Sequence, residues 1–336
     1  MKYKRVSSKD VAREAGVSQA TVSYVLNNNP NVKIRPETRQ KVMDAAKDLN
    51  YHVNYIARNM RLRKSTCLGI VTDIDMSSNI FLRALEGIKD AVVPRNYSLS
   101  IGFGAPEDIS DAEYIKYYYS NLIDGLIFVF CDLTDRQIRY LENNTIPYVL
   151  ISSSQNQIAN FQIKSDIAPA LDEAVANLKA SGITEIGFLG ATAGDNKRVR
   201  FDAFAKVMEK NGLNVDKSLL FKIGTNENNL ESEIAKALGK KTPRGLICDS
   251  LNAGFYGLRH LHKSGISLPN DVSLVMIGTT DFSQKTTTAI SAVEAPLYDM
   301  GKKGADLLFG LIDNEIKGKE AAITLKWQFV KRETSK

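Results

Sequence analysis

From Ser65 onward the sequence alternates short, almost wholly apolar runs with longer amphipathic stretches, and few folds satisfy that alternation. The runs are CLGIVTDI, SLSIGFG, GLIFVF, YVLISS, EIGFLGA, LFKIG, GLICDS and VSLVMIG. Between them lie FLRALEGIKDAVV, ALDEAVANLKAS, VRFDAFAKVMEKNG, LESEIAKALG and AGFYGLRHLHKSG. A short run that is apolar throughout suits a strand buried on both faces, and parallel strands need crossover helices to connect them. Glycine closes several of the amphipathic stretches, as a helix C-terminus favours. The pattern predicts open, doubly wound parallel sheets. Eight runs exceed one small lobe, so it also predicts two lobes, with ligands bound beyond the carboxyl ends of the strands.

The residues before Ser65 have a different character. Residues 1–64 carry 14 Lys and Arg against 5 Asp and Glu, a net charge of +9, while the whole chain nets +6, so the other 272 residues sum to −3. A positive field confined to one end suits a partner that is a polyanion, because each phosphate neutralised by Lys or Arg releases counterions. A solubilising tail would also be basic, but it would lack periodic apolar residues, and this segment has them. In SSKDVAREAGVSQATVSYVLN, Ser8 can cap a helix carrying Val11, Ala12 and Ala15, which Gly16 stops. Ser18 can cap a second helix with Val22, Val25 and Leu26 on one face and Gln19, Ala20, Thr21 and Tyr24 on the other. A third helix is predicted from Pro36 to about Leu49, with Val42, Ala45, Ala46 and Leu49 at helical spacing.

Two helices joined by so tight a turn form a helix-turn-helix, whose second helix enters the major groove of double-stranded DNA. Gln19, Ala20 and Tyr24 are then the base readers, since Gln bonds an adenine edge bidentately and Ala packs on a thymine methyl. Ser7, Ser8, Thr21 and Asn27 are placed to donate to phosphates, which fixes register without reading sequence.

Other classes of function find little support. No apolar run reaches the roughly 18 residues of a membrane span, and the polar start lacks the apolar core of a signal peptide, so a cytoplasmic protein is expected. Cys67, Cys131 and Cys248 make neither a CxxC pair nor a disulfide framework. GATAGDNK lacks the GK[ST] ending of a phosphate loop, and GFG at Gly102–Gly104 lacks the third glycine of a dinucleotide fingerprint. His260 and His262 are two apart on a predicted helix and cannot share one metal as an i, i+4 pair does. No GxSxG context occurs. No cofactor, metal or catalytic residue is expected, and the chain is not read as an enzyme.

KDVAREAGVSQATVSYVLN followed by ETRQKVMDAAKDLNYHVNYIARNMR resembles the head and linker of the lactose-repressor (LacI/GalR) family of bacterial transcription regulators. The resemblance implies that the segment from Asn54 to Met60 forms a hinge helix on DNA, with Asn54, Ala57, Arg58, Met60 and Arg61 at the interface. It also implies a homodimer on a palindromic operator, Met60 wedging into the minor groove where leucine is usual. Arg63 and Lys64 flank that hinge. Tyr24 stands where the family often has arginine after TVS, and the loop between Val32 and Thr38 is two residues longer than the common pattern.

The resemblance extends more loosely to the sugar-binding-protein-like core of the same family through LGIVTDIDMSSNIFLRALEGI, LIDGLIFVF, DIAPALDEAVANLKASGITEIGFLGA and RGLICDSLNAGFYGLRHLHKSGISLPNDVSLVMIG. Together these imply an all-α helix-turn-helix head plus an α/β two-lobed, periplasmic-binding-protein-like core of parallel doubly wound sheets. The expected domains are a DNA-binding head at 1–50, a hinge at 51–64 and a core at 65–336. Within the core the first lobe is expected at about 65–158 and 291–318, the second at about 159–290 and 319–336, with chain crossings near 154–161, near 290–296 and before the terminal strand. The segment 85–100 is a candidate dimer surface.

The family position of Arg200 implies bonds to effector hydroxyls or carboxylates, and Asp249, Asp281 and Ser152 occupy strand-end positions that often face the effector. Asp75 and Phe81 lie in the first strand-to-helix loop, where an aromatic ring can stack on a sugar. A surface salt bridge remains open for Arg200, and packing roles remain open for Asp75, Phe81 and Ser152. A sugar is the expected effector, with a sugar phosphate as the variant. Two other readings stay open: a two-lobed solute-binding protein or enzyme with no DNA role, and a regulator that answers to a protein partner.

Overall fold

The computed structural model describes residues 6–27, 32–51, 65–104, 106–152, 159–190, 195–224, 227–278, 281–316 and 321–336. The chain forms two compact units, Met1–Ser65 and Thr66–Lys336. In the first, α1 (Ser8–Ala15), α2 (Gln19–Leu26) and α3 (Pro36–Asp48) enclose a small core of Val11, Ala12, Val22, Val25, Val42, Ala45 and Ala46. The cap of α1 is Ser7 rather than Ser8. Its backbone N–H and its hydroxyl both donate to the Asp10 carboxylate, at 3.0 and 2.7 Å, and that acid in the first turn also suits the positive end of the helix. Gly16 ends α1 in the left-handed region at φ 64°, where a side chain would be strained, and this reverses the chain into α2. Ser18 starts α2 by accepting from the Thr21 N–H at 3.1 Å.

The second unit holds two sheets. One contains β1 (Cys67–Thr72), β2 (Ser98–Phe103), β3 (Gly125–Val129), β4 (Tyr148–Ile151), β5 (Phe161–Asp166) and β11 (Ala321–Lys326), all parallel, in the order β11-β5-β4-β3-β1-β2. The other contains β6 (Ile186–Gly190), β7 (Leu220–Lys222), β8 (Gly245–Cys248), β9 (Ser273–Ile277), β10 (Ser291–Glu294) and β12 (Gln328–Val330), in the order β12-β10-β9-β8-β6-β7. Only β12 runs antiparallel to its neighbour among these described strands.

Each sheet is apolar on both faces because each is covered on both. In β3, Ile127 and Val129 join the core beneath α4 (Asn79–Val92) and α11 (Leu297–Ile312), whereas Leu126 and Phe128 join that beneath α5 (Glu113–Tyr119) and α6 (Asp135–Asn143). In the second sheet Ile247 and Val275 face α7 (Ala168–Ala180) and α8 (Asp195–Lys210), while Leu246 and Leu274 face α9 (Glu227–Leu238) and α10 (Leu251–Lys263). Two-sided burial of this kind is what makes the runs continuous rather than alternating.

The lobe boundaries differ from those expected. The strand β5 pairs with β4 and β11 in the first sheet, so the first crossing falls at Asp166–Ile167, later than 154–161, of which 153–158 lies outside the described residues. The second crossing follows Glu294, within the expected 290–296, and the third falls at Trp327, before the terminal strand as expected, but 291–294 is β10 of the second sheet and β11 belongs to the first. Of the three reassigned strands, β5 and β11 are mixed in polarity. FQIKSD holds four polar residues, and AAITLK is an edge strand with every second residue exposed, so neither carries the apolar signature of an interior strand.

Helix α11 was hidden for a related reason, since its glycines and its Lys302–Lys303 pair weaken a helical pattern. It packs closely on α4, burying Ile88, Ala91 and Val92, and Phe309 meets Tyr97 edge-on at 4.9 Å between ring centres. The apolar side chains Ile88, Ala91 and Val92 of 85–100 are therefore occupied within the chain, while Glu86, Lys89, Asp90, Val93, Pro94, Arg95, Asn96 and Ser98 remain exposed.

Candidate nucleic-acid interface and effector site

At the surface of the head, the start of α2 is open. Gln19 and Ala20 are exposed, and Thr21, Tyr24 and Asn27 are half-buried along the same helix. The Gln19 Nε2 donates to the Ser8 Oγ at 2.7 Å, which holds the amide at the junction of α1 and α2. Ser8 is thus a support for Gln19, and Ser7 is engaged by Asp10. The Thr21 hydroxyl lies 2.9 Å from that of Ser18, and Asn27 donates from Nδ2 to the Ser23 carbonyl at 2.8 Å, so both side chains are bound to their own helix. Lys9, Arg13, Lys33, Arg35, Lys41 and Lys47 are exposed on the same unit. Asn54, Ala57, Arg58, Met60 and Arg61 lie outside the described residues.

In the core the expected effector residues separate into two groups. Asp249, nearly fully buried, follows the carboxyl end of β8, and its backbone N–H donates to the Leu189 carbonyl at 2.9 Å. Arg200 on α8 reaches it: its Nη1 donates to the Asp249 carbonyl oxygen. Burial pushes the Arg200 pKa down, with the Asp249 carboxylate opposing that shift, so a half-buried guanidinium lies beside a carboxylate. Gly190, at the end of β6, makes room for this arrangement, because a Cβ there would overlap the Asp249 carboxyl group. β6 and β8 are neighbours from which the strand order runs in opposite directions, the crevice where α/β sheets bind ligands. Ser152 follows β4 at the corresponding end of the first sheet, 2% exposed, with its N–H bonded to the Ile163 carbonyl at 3.0 Å.

The other three residues are placed differently. Phe81 is fully buried in the core under α4 and α11, so it packs the lobe rather than presenting a ring to a sugar. Asp75 is exposed and accepts from the Ser77 N–H at 2.8 Å, a turn bond that lowers its pKa. Asp281 forms an ion pair with Arg83 on α4, Nη2 to Oδ1 2.8 Å, and so ties the carboxyl ends of the two sheets together. Nothing in the sequence points to Arg83, whose partner is 198 residues away. The pair is solvated, with side chains 36% and 59% exposed, and exposed pairs contribute little. Asp281→Asn is accordingly expected to cost the core at most about 1 kcal/mol in urea unfolding; a loss of several kcal/mol would show that the two lobes depend on the pair.

Residues 8–54 match the model for bacterial regulatory proteins, lacI family, and residues 175–335 match that for a periplasmic binding protein-like domain. Catabolite control protein A of Priestia megaterium is 28% identical over 312 residues, covering 91% of this chain and 92% of its own length. Among solved structures, a lac repressor dimer bound to operator and the anti-inducer ONPF aligns with a TM-score of 0.82 at 22% identity, covering 98% of this chain and 99% of that one. A complex of the transcriptional regulator CelR with cellobiose aligns with a TM-score of 0.67 at 20% identity, over 98% of this chain and all of that one (100%).

Proposed function

We propose, because this chain belongs to the lacI family of bacterial regulatory proteins, that it is a DNA-binding transcriptional repressor, not an enzyme, whose affinity for its operator is set by a small molecule. The observation that carries this is the open start of α2, with Gln19 and Ala20 exposed on a head of net charge +9. In our reading the protein works as a homodimer in the cytoplasm on a palindromic site. Gln19, Ala20 and Tyr24 read bases, and Ser7, Ser8, Thr21 and Asn27 fix register against phosphates. Asn54, Ala57, Arg58, Met60 and Arg61 hold the minor groove. The effector is a sugar or sugar phosphate held by Arg200, Asp249 and Ser152, whose polar groups suit a ligand rich in hydroxyls. It acts through its different affinity for two lobe arrangements, which is the only way a ligand shifts such an equilibrium.

The test is a selection of bound duplexes from random DNA, followed by gel-shift titration. A palindromic sequence should emerge, with log K falling linearly as log salt rises. Gln19→Ala should lose roughly 1–3 kcal/mol of discrimination at one base pair of each half-site while non-specific binding is unchanged. Recovery of no preferred sequence, at low salt and with the intact chain, would overturn the proposal.

A further inference from the structure

The first lobe contains a concavity built wholly from its own residues. A cavity of about 650 Å3 opens beside β1, β2 and α5, within the size range of small-molecule sites. Its lining runs from Gly69 to Ile123, so neither Arg200 nor Asp249 nor any other residue of the second lobe takes part. Two exposed aromatic side chains, Phe103 at 65% and Tyr117 at 40%, form part of its wall. Such exposure is unusual for rings of this size and leaves their faces available.

The polar groups here are distinctive. Asp73, just beyond β1, lines the cavity, and its Oδ2 accepts from the Cys131 thiol at 2.7 Å. Among the described residues no lysine, arginine or histidine pairs with it. Tyr114, on α5, lines the same cavity and is 6% exposed; its hydroxyl is buried and makes no hydrogen bond among the described residues. Burial first, then the Cys131 thiol and the Asp73 carboxylate, raise the Tyr114 pKa, so the group is a neutral phenol with an unused acceptor and donor. Glu113, the other acid of the lining, is already paired with Lys116 at 2.7 Å.

We propose that this cavity is a second binding site, distinct from the effector site, for a small organic ammonium compound with an aromatic body. The ammonium group would pair with the Asp73 carboxylate, which no cation meets among the described residues, and donate to the Tyr114 oxygen. Phe103 and Tyr117 would hold the body and add cation–π attraction. An anion is disfavoured by Asp73. The assignment is independent of the DNA-binding proposal, since it concerns binding to the core alone.

Isothermal titration of the full chain with benzylammonium, phenethylammonium and tryptammonium chlorides tests it, each paired with the neutral alcohol of the same skeleton. At least one ammonium compound should bind in the millimolar range or tighter and exceed its alcohol by roughly tenfold or more. Asp73→Asn should remove that preference, and Tyr114→Phe should weaken the ammonium compound several-fold, both with melting temperatures near that of the parent. Arg200→Lys should leave the binding intact. The proposal is overturned if none of the three compounds binds, if the alcohols bind equally well, if Asp73→Asn binds as the parent does, or if Arg200→Lys abolishes binding.

Discussion

Gly301→Ala is expected to destabilise the core by about 3 kcal/mol, the upper end of the usual cost of overpacking. The sign is not obvious, because alanine in a helix interior normally stabilises by about 1 kcal/mol over glycine. Packing decides it. A Cβ on Gly301 would lie inside the van der Waals envelope of the Ala84 carbonyl oxygen and 2.8 Å from its carbon, and one on Gly87 would strike the Tyr298 carbonyl and lie 2.9 Å from the Lys302 nitrogen. These obstacles are backbone atoms of the facing helix, so no rotamer change relieves the clash; α4 and α11 must move apart and loosen Ile88, Ala91, Val92, Met300 and Ala305. Lys302→Ala, one position along and exposed, is the control and should stay within about 0.5 kcal/mol of the parent. Urea unfolding followed by circular dichroism reads both. A Gly301→Ala protein as stable as the control would mean that the two helices do not approach as closely as they do in this structure.

The second large effect concerns Arg200. Arg200→Met keeps volume and removes the guanidinium that bonds the Asp249 carbonyl, leaving the Asp249 carboxylate buried without its neighbouring charge. Truncating one member of such a buried, hydrogen-bonded pair costs about 2–5 kcal/mol where a ligand depends on it. Effector affinity should therefore fall by about 30-fold to several thousand-fold. Because the head is a separate compact unit, DNA binding without effector should be retained. Titrating the sugar that gives the largest thermal shift in the parent against both proteins measures the ratio. An unchanged affinity would remove Arg200 from the effector site, and lost DNA binding without effector would assign it a structural role.

The head was legible almost to the residue. Its three helices are local objects, set by caps, a glycine and apolar spacing within a few residues, and only the cap at Ser7 rather than Ser8 differed, a choice made by the Asp10 side chain three positions on. The interior strands were equally legible, because burial on both faces writes a continuous apolar run into the chain. The residues that escaped notice are those whose environment is supplied from far along the chain. Phe81 looked like a loop aromatic until α11, more than two hundred residues later, covered it, and Arg83 gained its meaning only when Asp281 arrived from the other lobe.

The alternation with which the chain declares itself thus determined by itself that there would be parallel sheets, crossover helices and a separate basic helical head. It did so because hydrophobic period and local capping act over a turn or a strand, and their free energies depend on neighbouring residues alone. Which sheet each crossing strand joins, which face of α4 is covered, and which strand-end side chains meet were decided by tertiary structure. β5 and β11 are too polar to declare themselves sheet strands and take their places only by pairing, β5 on β4 and β11 on β5, Phe161 beside Ala321 through Asp166 beside Lys326. Contacts of that range depend on closing long loops around a completed core, and no local pattern encodes them.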